Sequence, residues 1–295
     1  MALTLPCTTT RTAGIEEFID YLQRNVDPLD LGSVASAAPM LGALVNDREL
    51  IVRPLNQQLK LGYKTAMPGL EQSIPLAELE YFRLRANIWP STADVTAGRV
   101  LPDQFAYNNA HDHNFHFMTI AYFGAGYVTE IYEYDYERIE GYVGEPVDLR
   151  FQERTQFVSG RAMLYRASRD LHIQFPPEDL SITLSLMIEL PELRSRDQFF
   201  FDLQHRTISG FSPNSETSKR VDMVAMAGHA GNAETCQMLS DLALRHPCRR
   251  TRLTAYDSLV RLLPGDALRI WERAANDRAP LVANEARARL ASLQP

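Results

Sequence analysis

The chain has 295 residues, of which 45% are hydrophobic and 23% charged, and a formal net charge of −7. That balance describes a globular protein of one large or two modest domains. It excludes a nucleic-acid partner, because a polyanionic backbone selects basic surfaces.

Cys7, Cys236 and Cys248 form no CxxC pair, so reduced thiols in a cytoplasm are expected rather than a disulfide framework. The opening MALTLPCTTTRTAG carries no charged segment ahead of an apolar run and does not read as a signal peptide. The most apolar stretch, Gly32 to Val45, is interrupted by Pro39 and is too short to span a bilayer. A soluble cytoplasmic protein with no membrane partner is the expectation.

Ile15, Phe18, Ile19 and Leu22 recur at helical spacing, and Val34 to Val45 forms a second apolar stretch after the turn at Pro28. From Arg53 to Pro75 the period is undecided, with Pro54, Pro68 and Pro75 interrupting it. From Leu79 the period becomes two. Phe82, Leu84, Ala86 and Ile88 alternate with Tyr81, Arg83, Arg85, Asn87 and Trp89, which predicts a half-buried strand. Further strands are predicted at Phe117 to Phe123, Tyr127 to Asp135, Phe157 to Tyr165 and Leu180 to Leu190, with Gly124-Ala125-Gly126 as a hairpin connection. Short strands without intervening helices indicate an antiparallel sandwich or barrel.

After Pro213 the apolar spacing is helical. Arg220 to Ala230, Ala233 to Arg245, Arg250 to Leu263, Asp266 to Ala275 and Leu281 to Leu293 are separated by prolines at 247, 264 and 280. Ala255, Leu259 and Leu262 reappear as Ala286, Leu290 and Leu293, an offset of 31 that resembles HEAT-type α-repeats. A plain helical bundle fits the same pattern. The expected organisation is an N-terminal helical segment over 1–75, a β-barrel with a metal site over 76–212 and an α-helical HEAT-like domain over 213–295. The N-terminal helices are apolar enough to cover a barrel face or to make a homodimer contact.

His111-Asp112-His113, with His172 further on, supplies three of the seven histidines in strand-like sequence. Residues i and i+2 of a strand share a face, and imidazole is a common ligand of first-row metals, so His111, His113 and His172 are the predicted metal ligands. A lone histidine is more often structural, and His205, His229 and His246 are read as surface or capping residues. His116 falls one residue out of phase with Phe117, and only a bulge would turn it inward as a fourth ligand.

His111-x-His113, followed by the run from Phe117 to Ala125 with Gly124 and Gly126, resembles the first cupin motif, in which His-x-His precedes an acidic residue and a glycine. Gly160, Ala167 to Asp170 and His172 fill the frame of the second. The resemblance covers residues 80–190. It implies an α+β chain with an antiparallel cupin β-barrel, the double-stranded β-helix, flanked by N-terminal and C-terminal helices. Two departures stand out: Phe117 occupies the acidic position, and the Pro-x-Gly turn of the second motif is missing.

Loss of the acid leaves the three-histidine set of cysteine-dioxygenase-like cupins, which implies Fe(II), O2 and a small substrate. Such thiol dioxygenases place Ser-x-His-x-Tyr beside the iron, and no Ser precedes a His by two positions here. A 2-oxoglutarate enzyme would need a carboxylate where His113 stands, and Asp112 points to the opposite face.

Arg83, Arg85 and Arg166 are candidates to clamp a substrate carboxylate, although strand arginines mostly face solvent. Tyr165 is a candidate catalytic residue that could stack on or hydrogen-bond the substrate, against the commoner role of a core aromatic. Glu130 could orient a ligand histidine through its second nitrogen, against the commoner role of a solvated strand residue. The expected function is a non-haem Fe(II) oxygenase or oxidase acting on a small carboxylate-bearing metabolite such as an amino acid derivative. The alternative is a cupin-like binding or sensor protein whose C-terminal helices dock a carrier-bound or peptide partner. A Zn or Mn isomerase or hydrolase ranks third.

Overall fold

The computed structural model describes residues 2–60 and 72–293, so the expected break at Pro68 lies outside the described residues. The chain divides into two compact units, Met1–Tyr134 with Leu149–Leu190, and Asp135–Asp148 with Pro191–Pro295.

In the first unit, β1 (Leu3–Pro6) precedes α1 (Ile15–Asn25), α2 (Leu31–Ser36) and α3 (Ala38–Val45), the helices that the apolar spacing predicts. Of the undecided stretch, the part up to residue 60 lies in α4 (Val52–Lys60), residues 61–71 lie outside the described residues, and residues 73–75 begin a strand. Pro54 is tolerated in α4 because it lies in the first turn, where a missing N–H breaks no helical bond.

The strands of this unit are β2 (Ser73–Glu78), β3 (Phe82–Trp89), β4 (Ala110–Asp112), β5 (His116–Phe123), β6 (Val128–Glu133), β7 (Arg150–Gln156), β8 (Arg161–Tyr165), β9 (Asp170–Phe175) and β10 (Ser181–Ile188). One sheet has the order β1-β8-β5-β10-β3-β2. In a second, β4-β9-β6-β7 are neighbours. The pairings are antiparallel. The unit is therefore α+β with two antiparallel sheets.

Leu84, Ala86, Met118, Ile120, Leu164, Leu184 and Leu186 alternate onto one face of the first sheet and are buried. The buried Leu41 and Leu44 belong to α3, which packs against β5. The opposite face of β3 carries Arg85, Asn87 and Trp89, the set that a period of two assigns equally well to solvent. Here that face turns inward, and these residues line a cavity together with Phe117, Thr119 and Ser185.

The glycine pair does not close a hairpin. β5 and β6 belong to different sheets, so Gly124-Ala125-Gly126 carries the chain from one sheet to the other. Both glycines have positive φ, +82° and +80°, and a Cβ at Gly126 would sit 1.6 Å from the Phe157 carbonyl oxygen. Backbone strain and a hard contact therefore both demand glycine at position 126.

The second unit contains the hairpin β11 (Phe199–Asp202) with β12 (Thr207–Phe211), and the helices α6 (Glu216–Ala230), α7 (Ala233–Arg245), α8 (Arg249–Leu262), α9 (Ala267–Ala274) and α10 (Pro280–Leu293). The short helix α5 (Thr92–Thr96) follows β3 in the first unit. Val224, Leu239, Ala255, Leu259, Trp271 and Val282 share one core. The buried Arg252 donates to Asp277 at 2.9 and 2.7 Å, tying α8 to the turn after α9. Among the described residues, no helix is long and apolar enough to cross a membrane.

Gly126→Ala is expected to destabilise the protein by about 2–4 kcal/mol, because a positive-φ strain and a backbone clash add. Urea unfolding followed by circular dichroism measures it, and an unshifted midpoint would contradict the close approach at Phe157.

Candidate metal centre

β4 and β9 pair so that His111 stands directly opposite His172. Cross-strand neighbours on one face approach closely, and the two imidazole rings lie 4.7 Å apart, centre to centre. His113, two residues on, stays on the same side, 4.9 Å from the His111 ring and 5.3 Å from His172. One ring nitrogen of each of the three lies within 4.8 Å of the others. The Nε2 atoms of His113 and His172 are 3.2 Å apart. The Ser168 amide donates to the His113 carbonyl at 2.7 Å and secures the chain just beyond β4.

The rings are kept neutral. Burial pushes His113 and His172 well below the ordinary histidine range, and mutual repulsion with His111 adds to it; Arg85 further depresses His113. His111 is lowered too, by burial first, against the opposing bond to the Asn109 carbonyl. That carbonyl lies 2.8 Å from His111 Nδ1 and can only accept, so Nδ1 carries the proton and Nε2 keeps its lone pair. Three neutral imidazoles with converging nitrogens form a donor set suited to a first-row divalent metal.

The cavity has a volume of about 80 Å³. One wall is aromatic: Trp89, Phe115, Phe117 and Tyr127 line it. Phe117, where the sequence resemblance expects an acid, packs edge-on to His113 and stacks flat on Tyr165 at 4.5 Å. The other wall is polar. Asn87 Nδ2 donates to Ser185 Oγ at 2.8 Å, and Ser185 Oγ donates to Thr119 Oγ1 at 2.9 Å. None of the described residues lining the cavity is Asp or Glu.

Of the three predicted carboxylate clamps, Arg85 alone lines the cavity. Burial lowers it to about 10, so it remains a cation at neutral pH. Its Nε is buried without a hydrogen-bond partner. Arg83 is held by Glu78 and Glu189 at 3.0 and 3.3 Å, and Arg166 by Asp170 and Glu133 at 2.6 and 3.2 Å; these clamp the fold rather than face the histidines.

Glu130 does not join the site either. It pairs in register with Ile173, whereas His172 pairs with Ile131, so Glu130 projects from the opposite face of the sheet. There it binds Arg154 and accepts from the Tyr132 hydroxyl. Tyr165 sits behind Phe117, its ring 4.9 Å from His172, and burial raises its hydroxyl well above the usual range, so it keeps its proton. His116 Nδ1 accepts from the Ala167 amide at 2.9 Å, a structural role outside the three-histidine group. Asp112 faces away as expected, accepting from the Tyr134 hydroxyl at 2.6 Å.

Sequence reasoning missed Gln174 and the Asn87–Ser185–Thr119 chain. Gln174, two residues after His172 on β9, was available from the same i, i+2 rule that selects the histidines. Its Nε2 lies 3.1 and 3.0 Å from the two ring nitrogens of His172.

No family model and no curated protein matches the chain. Among solved structures it is similar to a DMSP lyase at 12% identity and TM-score 0.26, over 43% of this chain and 50% of that one. A cupin domain from Bordetella pertussis matches at 10% identity and TM-score 0.24, over 40% and 95%. Hydroquinone 1,2-dioxygenase from Sphingomonas sp., solved with 4-hydroxybenzoate bound, matches at 9% identity and TM-score 0.27, over 44% and 71%. This chain thus spans half the length of the matched DMSP lyase. Likeness at these scores assigns neither family nor activity, and the chemistry of the site rests on its own geometry.

Burial of neutral histidines has a consequence for the metal-free protein. An unfolded chain protonates its histidines near 6.5, whereas the folded trio resists protonation to lower pH. Stability is therefore complete above that value and declines as pH falls from it toward the folded pKa values. Urea midpoints between pH 7.5 and 5, compared with a variant carrying all three His→Asn changes, test this; equal pH dependence in the two would contradict it.

Proposed function

We propose that the first unit is a cupin-like β-barrel whose His111, His113 and His172 hold a ferrous ion, and that the protein is an oxygenase or oxidase of a small carboxylate-bearing metabolite. One observation carries this reading. A neutral three-nitrogen donor set and a cation to which no described carboxylate hydrogen-bonds, Arg85, line the same small cavity.

The donor set fits the ion. Imidazole suits iron, and three ligands leave coordination positions open. Ferrous iron held so would supply O2 activation.

This chain's own residues do the rest. Arg85 binds the carboxylate as a forked donor and fixes which end of the substrate points inward. Phe117 fills the place of a fourth protein ligand with an apolar wall, and with Trp89, Phe115 and Tyr127 it excludes water from the reacting face. Asn109 holds His111 in the tautomer that presents Nε2. A Zn or Mn isomerase or hydrolase would use the same cavity and is separated from an oxygenase by metal analysis and O2 uptake.

Protein purified without oxygen is expected to contain one iron per chain by elemental analysis, and His113→Ala to lose it; full iron retention in that variant would contradict the ligand assignment. Arg85→Met is expected to retain iron while KM for the carboxylate substrate rises by about tenfold or more, the loss of a charge-assisted hydrogen bond. An unchanged KM would remove Arg85 from the substrate site.

A further inference from the structure

A three-histidine metal centre beside Arg85 admits any small carboxylate. The polar groups of the cavity narrow it. Arg85 contributes one positive charge, a divalent ion adds two, and the three imidazoles are neutral. The remaining polar residues that line the cavity, Gln72, Asn87, Thr119, Gln174 and Ser185, carry no charge.

Glu189, whose charge acts on Arg85, is bound by Arg83, and the carboxylates of the paired strands are committed elsewhere. Asp112 accepts from Tyr134, Glu130 binds Arg154, and Asp170 and Glu133 bind Arg166. An ammonium group entering this space would bring a further positive charge and meet no described carboxylate. In a water-poor cavity such an unpaired cation is strongly disfavoured.

Among the described residues lining the cavity, two buried side-chain atoms lack hydrogen-bond partners. Arg85 Nε is a donor without an acceptor, and Gln174 Oε1 is an acceptor without a donor. Gln174 itself is 3% exposed and lines the cavity. Unpaired buried polar atoms are costly, and a ligand that satisfies both recovers that cost. A carboxylate meets the first need and a hydroxyl the second.

Resting on the metal-site reading above, we propose that the substrate is a small α-hydroxycarboxylate and that α-amino acids are rejected. The carboxylate pairs with Arg85, the hydroxyl donates to Gln174 Oε1, and the small carbon frame lies against Trp89, Phe115 and Phe117. The cavity, about 80 Å³, restricts the substrate to a small carbon frame. A hydroxy acid thus takes the place of the amino acid derivative expected from the sequence.

Lactate, alanine and propionate form a matched set that differs only in hydroxyl, ammonium or hydrogen at the α-carbon. Each is titrated into the full-length protein loaded with Co(II), and the visible cobalt spectrum and calorimetry report binding without turnover. Lactate is expected to bind about tenfold or more tighter than either other probe. Gln174→Met is expected to erase the preference for lactate over propionate while the cobalt spectrum without added ligand persists. Arg85→Met is expected to weaken lactate and propionate alike.

Alanine binding as tightly as lactate, or a lactate preference that survives Gln174→Met, would overturn the substrate assignment while leaving the metal site intact. Failure of the wild-type protein to take up Co(II) would overturn both.

Discussion

The site depends on one register. Antiparallel pairing of β4 with β9 sets His111 opposite His172, and the period of two then places His113 and Gln174 on the same side. A slip of one residue in either strand would turn its own pair outward, replacing His111 and His113 by Asp112 or His172 and Gln174 by Leu171 and Ile173. The buried alternatives are incompatible with such a slip, because Asp112 is already bound to Tyr134 and Leu171 is fully buried on the far face. Hydrophobic and polar partners on both faces thus hold the histidines in place.

The same logic explains why Arg85 differs from its neighbours. Arg83, Arg85 and Arg166 are equivalent in a sequence read for strand arginines, but carboxylates reach Arg83 and Arg166 and none of the described carboxylates reaches Arg85 at hydrogen-bond distance. An arginine left without an acceptor, beside imidazoles that its own charge helps keep neutral, gives the cavity an excess of positive charge. In the proposed function that excess, more than shape, selects the substrate.

Much of this was legible beforehand, where the information is local. The five C-terminal helices follow from apolar spacing and their stop signals, and the start of α7 is fixed by the reciprocal Asn232–Thr235 capping bonds. The strand β10 and the histidine triplet follow from a period of two. What periodicity does not encode is which strand pairs with which. Gly124 and Gly126 therefore read as a hairpin although they join two sheets, and Glu130 read as a site residue although its register with Ile173 turns it away. β7, with the sequence RFQERTQ, has too little apolar alternation to be seen as a strand, and β4 has three residues, too few to show a period. The polar face of β3 was visible, but its direction depends on a second sheet that no local pattern announces.

Anomalous diffraction from crystals of the protein loaded with iron under anaerobic conditions tests the central claim most directly. The account predicts a single strong peak in the first unit, within coordinating distance of a ring nitrogen of each of His111, His113 and His172. A peak bound by other residues, or an iron-free cavity with the three rings hydrogen-bonded only to one another, would contradict it.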